Sequence, residues 1–290
     1  MMQTALTIII YGLLSGSVYA VVAMGLSLQY GVGRVINVAH GHFLMLGAFL
    51  TWMLYTGSGI DPLVSLTITG PLLFVLGFVL YRTLFTSLRT KAPSAGAYEG
   101  SSLLAAFGLL YVLENVALIR WGAFNRSYRF LSFTVSIAGT TFTANRLAAL
   151  VIAVVVCLAF YFFLTRSRLG KAIRAAAQDP ATAGLMGVNI NRVLALCFGL
   201  GAFLAGVGGL LVSMCFPVNA FIGLQYTVIA FIVIVLGGLG SIPGSLVGGL
   251  ILGLIYAIVL QWQPRLAMVV FYGIFLLLLL VRPAGIFGKR

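Results

Sequence analysis

Few side chains in this sequence can do chemistry. Both histidines, His40 and His42, fall in the stretch GRVINVAHGHFLMLGAF, residues 33–49, together with Asn37. One of only four acidic residues, Glu114, stands beside Asn115 inside an apolar run. Two histidines at this spacing do not make a metal site, and no third ligand lies near them in sequence. His40 as a general base has no nucleophile at a matching position, so an intramembrane enzyme is a poor fit. Two uses remain open. Asn37 and His40, three apart, share a face if helical, with His42 pointing elsewhere. They then satisfy backbone groups at a broken helix end and hold neighbouring helices together. Alternatively, Asn37, His40, His42 and Glu114 line a translocation path or its gate. An unpaired carboxylate in a membrane is costly, which makes Glu114 a functional candidate. If Arg120 or Arg126 reaches it, it is instead a structural ion pair.

The elements that must position these groups are membrane helices. The chain is 62% hydrophobic and 7% charged, with a mean hydropathy of +1.16. Soluble domains carry about 25% charged residues. Apolar runs near the roughly 20 residues needed to cross a bilayer fall at 5–29, 39–56, 62–81, 101–119, 146–164, 192–214, 222–239, 244–262 and 266–281. The expected fold is therefore all-α, a polytopic integral membrane protein with about 8–9 transmembrane helices in a single domain, residues 1–290. The first run lacks a basic leader and a small-residue cleavage site, and reads as a retained helix. The +13 charge is scattered between apolar runs and reads as an orientation signal, with no nucleic acid as partner. One side collects Arg34, Arg82, Arg89, Lys91, Arg166, Arg168, Lys171, Arg174, Arg192, Arg282, Lys289 and Arg290. Arg120, Arg126, Arg129, Arg146 and Arg265 lie opposite. This predicts an outer N-terminus and a cytoplasmic C-terminus. Cys157, Cys197 and Cys215 show no metal-ligand spacing and read as packing residues.

Two apolar segments look broken: QYGVGRVINVAHGHF, at Gly31 and Gly33, and VLGGLGSIPGSLVGGLILG, residues 235–253. Paired interruptions point to irregular backbone lining a site, and their similar pattern raises an internal, inverted repeat. The spacings Gly12/Gly16, Gly240/Gly244, Gly244/Gly248 and Gly249/Gly253 favour close helix packing, within the subunit or, as the less favoured reading, between two subunits.

The longest charged stretch is TRSRLGKAIRAAAQDPATAGLMGVNINRV. It predicts a helix from about Leu169 to Gln178. Asp179 then serves as N-cap and Pro180 as first residue of a short helix stopped at Gly187, with Asn189 or Asn191 capping the next crossing. The segment 166–192 reads either as a docking element or as amphipathic surface helices at lipid headgroups. No G-x-x-x-x-G-K-[ST] phosphate loop occurs. Gly170-Lys171 is the nearest approach, but Thr165 replaces the first glycine and Ala172 follows the lysine. Any ATP-driven mechanism therefore needs another subunit.

INVAHGHFLMLGAF, GKAIRAAAQDPATAGLMGVNINRVLALCFGLGAFLAGVGGLL, VLGGLGSIPGSLVGG and VRPAGIFG, in this order, resemble the permeases of branched-chain amino acid ABC importers. The likeness is to the shorter, LivH-type member of the permease pair. The resemblance implies a bacterial inner-membrane importer that binds no cofactor itself. Its partners would be a second homologous permease (LivM-like) or a second copy, two cytoplasmic ATPases using ATP, a periplasmic solute-binding protein and membrane lipid. The coupling segment would include Gly170, Lys171, Arg174, Ala177, Asp179, Pro180, Gly187, Asn189 and Arg192. Members often carry glutamate where this chain has His42, so fine solute preference does not transfer. Urea, short amides and aromatic acids are alternative cargoes, and an ion-coupled secondary transporter using Glu114 is the remaining reading.

Overall fold

The structure is a computed structural model and describes residues 2–281 and 285–286. Arg282, Lys289 and Arg290, which entered the charge asymmetry, lie outside the described residues, as do most of VRPAGIFG and the C-terminus. The apolar runs fold as helices because a backbone in hydrocarbon must satisfy its own hydrogen bonds. In order these are α1 (Met2–Gly33), α2 (His40–Ser58), α3 (Pro62–Leu80), α4 (Thr86–Lys91), α5 (Ala95–Trp121), α6 (Ala144–Arg166), α7 (Arg168–Gln178), α8 (Pro180–Leu185), α9 (Ile190–Cys215), α10 (Ile222–Gly237), α11 (Ile242–Trp262) and α12 (Ala267–Val281). Among the described residues, seven helical stretches are long and apolar enough to cross a membrane, and α10 is a shorter apolar helix. The 19-residue α2 is buried over most of its first half, as befits a helix opening on two histidines.

Several boundaries depart from expectation. Gly31 and Gly33 lie inside the last turn of α1, and the break falls at 34–39. Arg34 ends α1 in a left-handed conformation, φ 53°. The stretch between the apolar runs 62–81 and 101–119 is mostly helical. A π-helical turn, Tyr81–Phe85, joins α3 to α4, and Ser94 caps α5 through the amide of Ala97. Between α5 and α6 lies a hairpin the sequence did not announce: β1 (Thr134–Ile137) pairs antiparallel with β2 (Thr140–Thr143). Ala138 and Gly139 both have positive φ, the requirement of a tight primed turn.

The long helices of the interior pack in pairs. α1 packs along α11, and α9 packs along α3. α1 also crosses α9, and α2 crosses α10. The chain leaves helix at 34–39, between α1 and α2, and again at 216–221, between α9 and α10. The loop Gly238–Ser241 is a plain turn between α10 and α11. Glycines allow the closest contacts. A Cβ on Gly253 would fall on the backbone of Gly16 and Gly12, and one on Gly249 would meet the backbone of Ala20. Gly12, Gly16, Gly249 and Gly253 thus serve packing inside the subunit.

Candidate functional site

Two regions hold the residues singled out in the sequence. The first lies in the interior, where the starts of α2 and α10 meet. His40 Nε2 stands 2.9 Å from the carbonyl oxygen of Val22, so the ring must carry its proton there and donate it. α1 continues for about 16 Å beyond Val22, at 1.5 Å per residue. The segment 34–39 therefore runs back into the bundle before α2 begins. It can do so because protein surrounds it: Val35, Asn37 and Ala39 are fully buried.

Asn37 is not helical and does not share a helix face with His40, contrary to expectation. Its Oδ1 accepts from the amide of Ala39 at 3.1 Å, and its Nδ2 donates to Gln29 Oε1 at 2.9 Å. Gln29 Nε2 then donates to the carbonyl of Phe198 at 3.1 Å. This chain of amides ties α1, the irregular segment and α9 together. Across from it, the amide of Gly41 donates to Thr227 Oγ1 at 2.9 Å. The Thr227 hydroxyl has the carbonyls of Val38 and Gly223 at 3.0 Å. Gly41 and Gly223 are in backbone contact: a Cβ on Gly41 would strike the Gly223 carbonyl, and one on Gly223 would lie 2.8 Å from the His42 ring.

Glu114 is brought to this place, but not by an arginine. Its Oε2 lies 3.3 Å from His42 Nε2. The His42 side chain is fully buried, whereas 18% of the Glu114 side chain is exposed. Arg126 instead donates to the carbonyl of Trp121 and sits over the Trp52 ring. A carboxylate beside the first turn of a helix faces the positive end of its dipole, and here two such ends adjoin. The arrangement suits negative charge or a polar solute group held against helix starts at the centre of the fold. His42, His40, Asn37 and Thr227 are closely packed among protein atoms. The cavity of about 360 Å³ beside Tyr19, Gln225, Tyr226 and Tyr256 is lined by none of them.

The second region is the polar segment between α6 and α9. Ser167 Oγ accepts from the amide of Gly170 at 2.9 Å and starts α7 one residue before the predicted Leu169. Gly170 allows α7 to fold back on α6, because a Cβ there would overlap the backbone of Leu164. The Arg174 guanidinium donates to the Leu164 carbonyl, closing the end of α6. Ile173 and Ala176 face inward, while Lys171 and Ala177 are exposed. Asp179 caps α8 through the amides of Ala181 and Thr182, at 2.9 and 3.2 Å, and accepts from the Thr182 hydroxyl. The Thr182 hydroxyl, with these two amides, holds the Asp179 carboxyl below the usual carboxylate range. Pro180 occupies the first position of α8. Gly187, at φ 86°, turns the chain, and Asn189 Oδ1 accepts from the amide of Arg192 to start α9. The segment thus presents a short, doubly capped helix whose tip carries Leu185, 89% exposed, and Met186, 82% exposed.

Gln29, Thr227, Leu185 and Met186 were not singled out in the sequence. A lone amide within SLQYG was the available signal for Gln29. Thr227 and the two tip residues gave none, since a threonine or a leucine in this composition is ordinary.

Apolar helices of membrane-crossing length, with the irregular backbone at 34–39 buried among them, define a polytopic membrane protein. Comparison with known proteins narrows the class. Residues 8–279 match the family described as branched-chain amino acid transport system / permease component, and the chain belongs to that family. It is 32% identical to the high-affinity branched-chain amino acid transport system permease protein BraD of Pseudomonas aeruginosa, over 97% of this chain and 95% of that protein. It is 33% identical to the corresponding permease LivH of Salmonella typhimurium, over 96% and 94%. Among solved structures, PsaBC from Streptococcus pneumoniae in complex with Fab shares the fold at a TM-score of 0.50 and 12% identity, covering 96% of this chain and 92% of that one.

Proposed function

We propose that this protein is the membrane-spanning permease of an ABC importer for branched-chain or related amino acids, driven through its α7–α8 segment by a separate ATPase. The tip of α8 carries the reading. Two large apolar side chains stand almost wholly in solvent on a rigidly capped helix. Exposed apolar groups on a polar element outside the membrane mark a partner's contact. A cytoplasmic ATPase seated over Leu185 and Met186 would move α7, which Gly170 and Arg174 lock to the end of α6. The N-terminus then lies on the outer side, as the charge asymmetry suggests.

The face of α5 carrying Ser101, Gly108, Tyr111 and Asn115 is exposed, with Glu114 at its margin. Polar groups facing lipid are expensive. This face therefore suits the solute path and the contact with a second permease, either a homologous partner or another copy. A solute-binding protein would deliver cargo at the hairpin end. The single test is Leu185→Ser/Met186→Ser. The variant should insert normally, lose co-purification with the ATPase, and lose at least tenfold in amino acid uptake. Full ATPase retention together with full uptake would reject the docking surface.

A further inference from the structure

A polar cavity of about 470 Å³ lies at the junction of α3 and α9, lined by Phe78, Arg82, Asn189, Asn191 and Arg192. Its chemistry is donor-rich and cationic. Two guanidinia and two side-chain amides bound it, and no carboxylate does. The four acidic residues are elsewhere. Asp61 caps the opposite end of α3, Glu114 is with His42, Asp179 caps α8, and Glu99 lies in α5. The Arg82 guanidinium sits 5.7 Å from the Phe78 ring centroid, which fixes it at the upper edge of an apolar surface.

That surface is continuous. Ile68, Leu72, Val75 and Val79 follow one another at four- and three-residue spacing and lead up to Arg82, so they share a helix face. All four are exposed large apolar residues. From Ile68 to Arg82 the stripe rises about 21 Å at 1.5 Å per residue. One leaflet of the hydrocarbon core is about 15 Å thick. The stripe is long enough to carry an acyl chain, and it ends at the cationic cavity where a headgroup phosphate would lie.

We propose that this cavity holds the phosphate headgroup of an anionic phospholipid whose acyl chain lies along the exposed face of α3. A free phosphate would use the arginines but leave the stripe without a role. An acidic protein segment would do the same, and the apolar tip residues Leu185 and Met186 do not line the cavity. The inference goes beyond the docking reading. It takes Asn189 and Arg192 out of the ATPase contact and gives them to lipid together with Arg82, which the docking reading does not use.

The test uses the full chain in a zwitterionic detergent, with native mass spectrometry counting retained lipid. Dioleoyl-phosphatidylglycerol should be retained about 30-fold more strongly than dioleoyl-phosphatidylcholine, the factor expected from two basic side chains at a membrane surface. R82Q/R192Q should lose this preference, each single change should lose part of it, and R82K/R192K should keep most of it. The lysine pair also shows whether the glutamine pair has simply misfolded. Ten millimolar inorganic phosphate should not displace the lipid. An unchanged preference in R82Q/R192Q would overturn the proposal, as would complete displacement by phosphate. It would also be overturned if R82Q/R192Q kept its lipid but no longer bound the ATPase, because the cavity would then be a protein contact.

Discussion

His42 and Glu114 are 72 positions apart in sequence, and their side chains meet at 3.3 Å on the first turn of α2. The pair joins α5, otherwise lightly attached to the bundle, to the point where two helix starts converge.

Replacing Glu114 should separate charge from bonding. Glu114→Gln keeps an acceptor for the His42 ring and should stay within about 1 kcal/mol of the native stability. Glu114→Leu leaves a buried ring nitrogen without a partner and should cost ~1–3 kcal/mol. Chemical unfolding of the purified chain reads both. Equal losses in the two variants would show that the negative charge itself, not the hydrogen bond, holds α5 in place.

The glycines of α2 and α5 should respond in opposite ways. Gly41→Ala puts a methyl group into the carbonyl of Gly223, and neither backbone can yield without parting α2 from α10. A loss of ~3 kcal/mol or more is expected, at the upper end of overpacking effects. Gly108→Ala meets nothing within 4 Å and should be neutral or stabilise α5 by up to about 1 kcal/mol. Expression and melting of the two single variants, side by side, check the contrast.

The cap at Asp179 should matter for coupling and not for insertion. Asp179-Pro180→Ala-Ala removes the acceptors for the amides of Ala181 and Thr182, so uptake should fall at least fivefold while ATP hydrolysis continues. The pH sign follows from the Thr182 hydroxyl and the amides, which depress the carboxyl. A depressed carboxyl contributes fully above the ordinary carboxylate value near 3.9 and loses its contribution only as pH falls through the lower folded value. Coupling should thus be flat between about pH 5 and 8 as far as this residue is concerned. A coupling step within that window that disappears in Asp179→Asn would contradict the assignment.

What could be read from the sequence follows the range of the interactions. Asp179, Pro180, Gly187 and Asn189 act on amides two or three residues away, so the α7–α8 segment was legible nearly residue by residue. Apolar runs set the crossings for the same reason. The partners of the interior polar groups were not legible. Arg120 and Arg126 are near Glu114 in the chain, but packing brings His42 to it. Gln29 reaches Phe198 across 169 positions, and Thr227 reaches Val38 across 189. Asn37 read as helical because INVAHGHF continues an apolar pattern. Its amide instead closes a turn onto Ala39, which competes with helix at that point.

The stretch 34–39 also determines how motion crosses the molecule. A helix transmits a push along its length because each turn is bonded to the next. Residues 34–39 carry no such ladder and are held by Arg34 on Tyr30, by Asn37 on Gln29 and by His40 on Val22. Those side-chain bonds, with the Gly41 amide on Thr227, fasten α1, α2 and α10 to one another at this joint, so the three helices are held there as one unit.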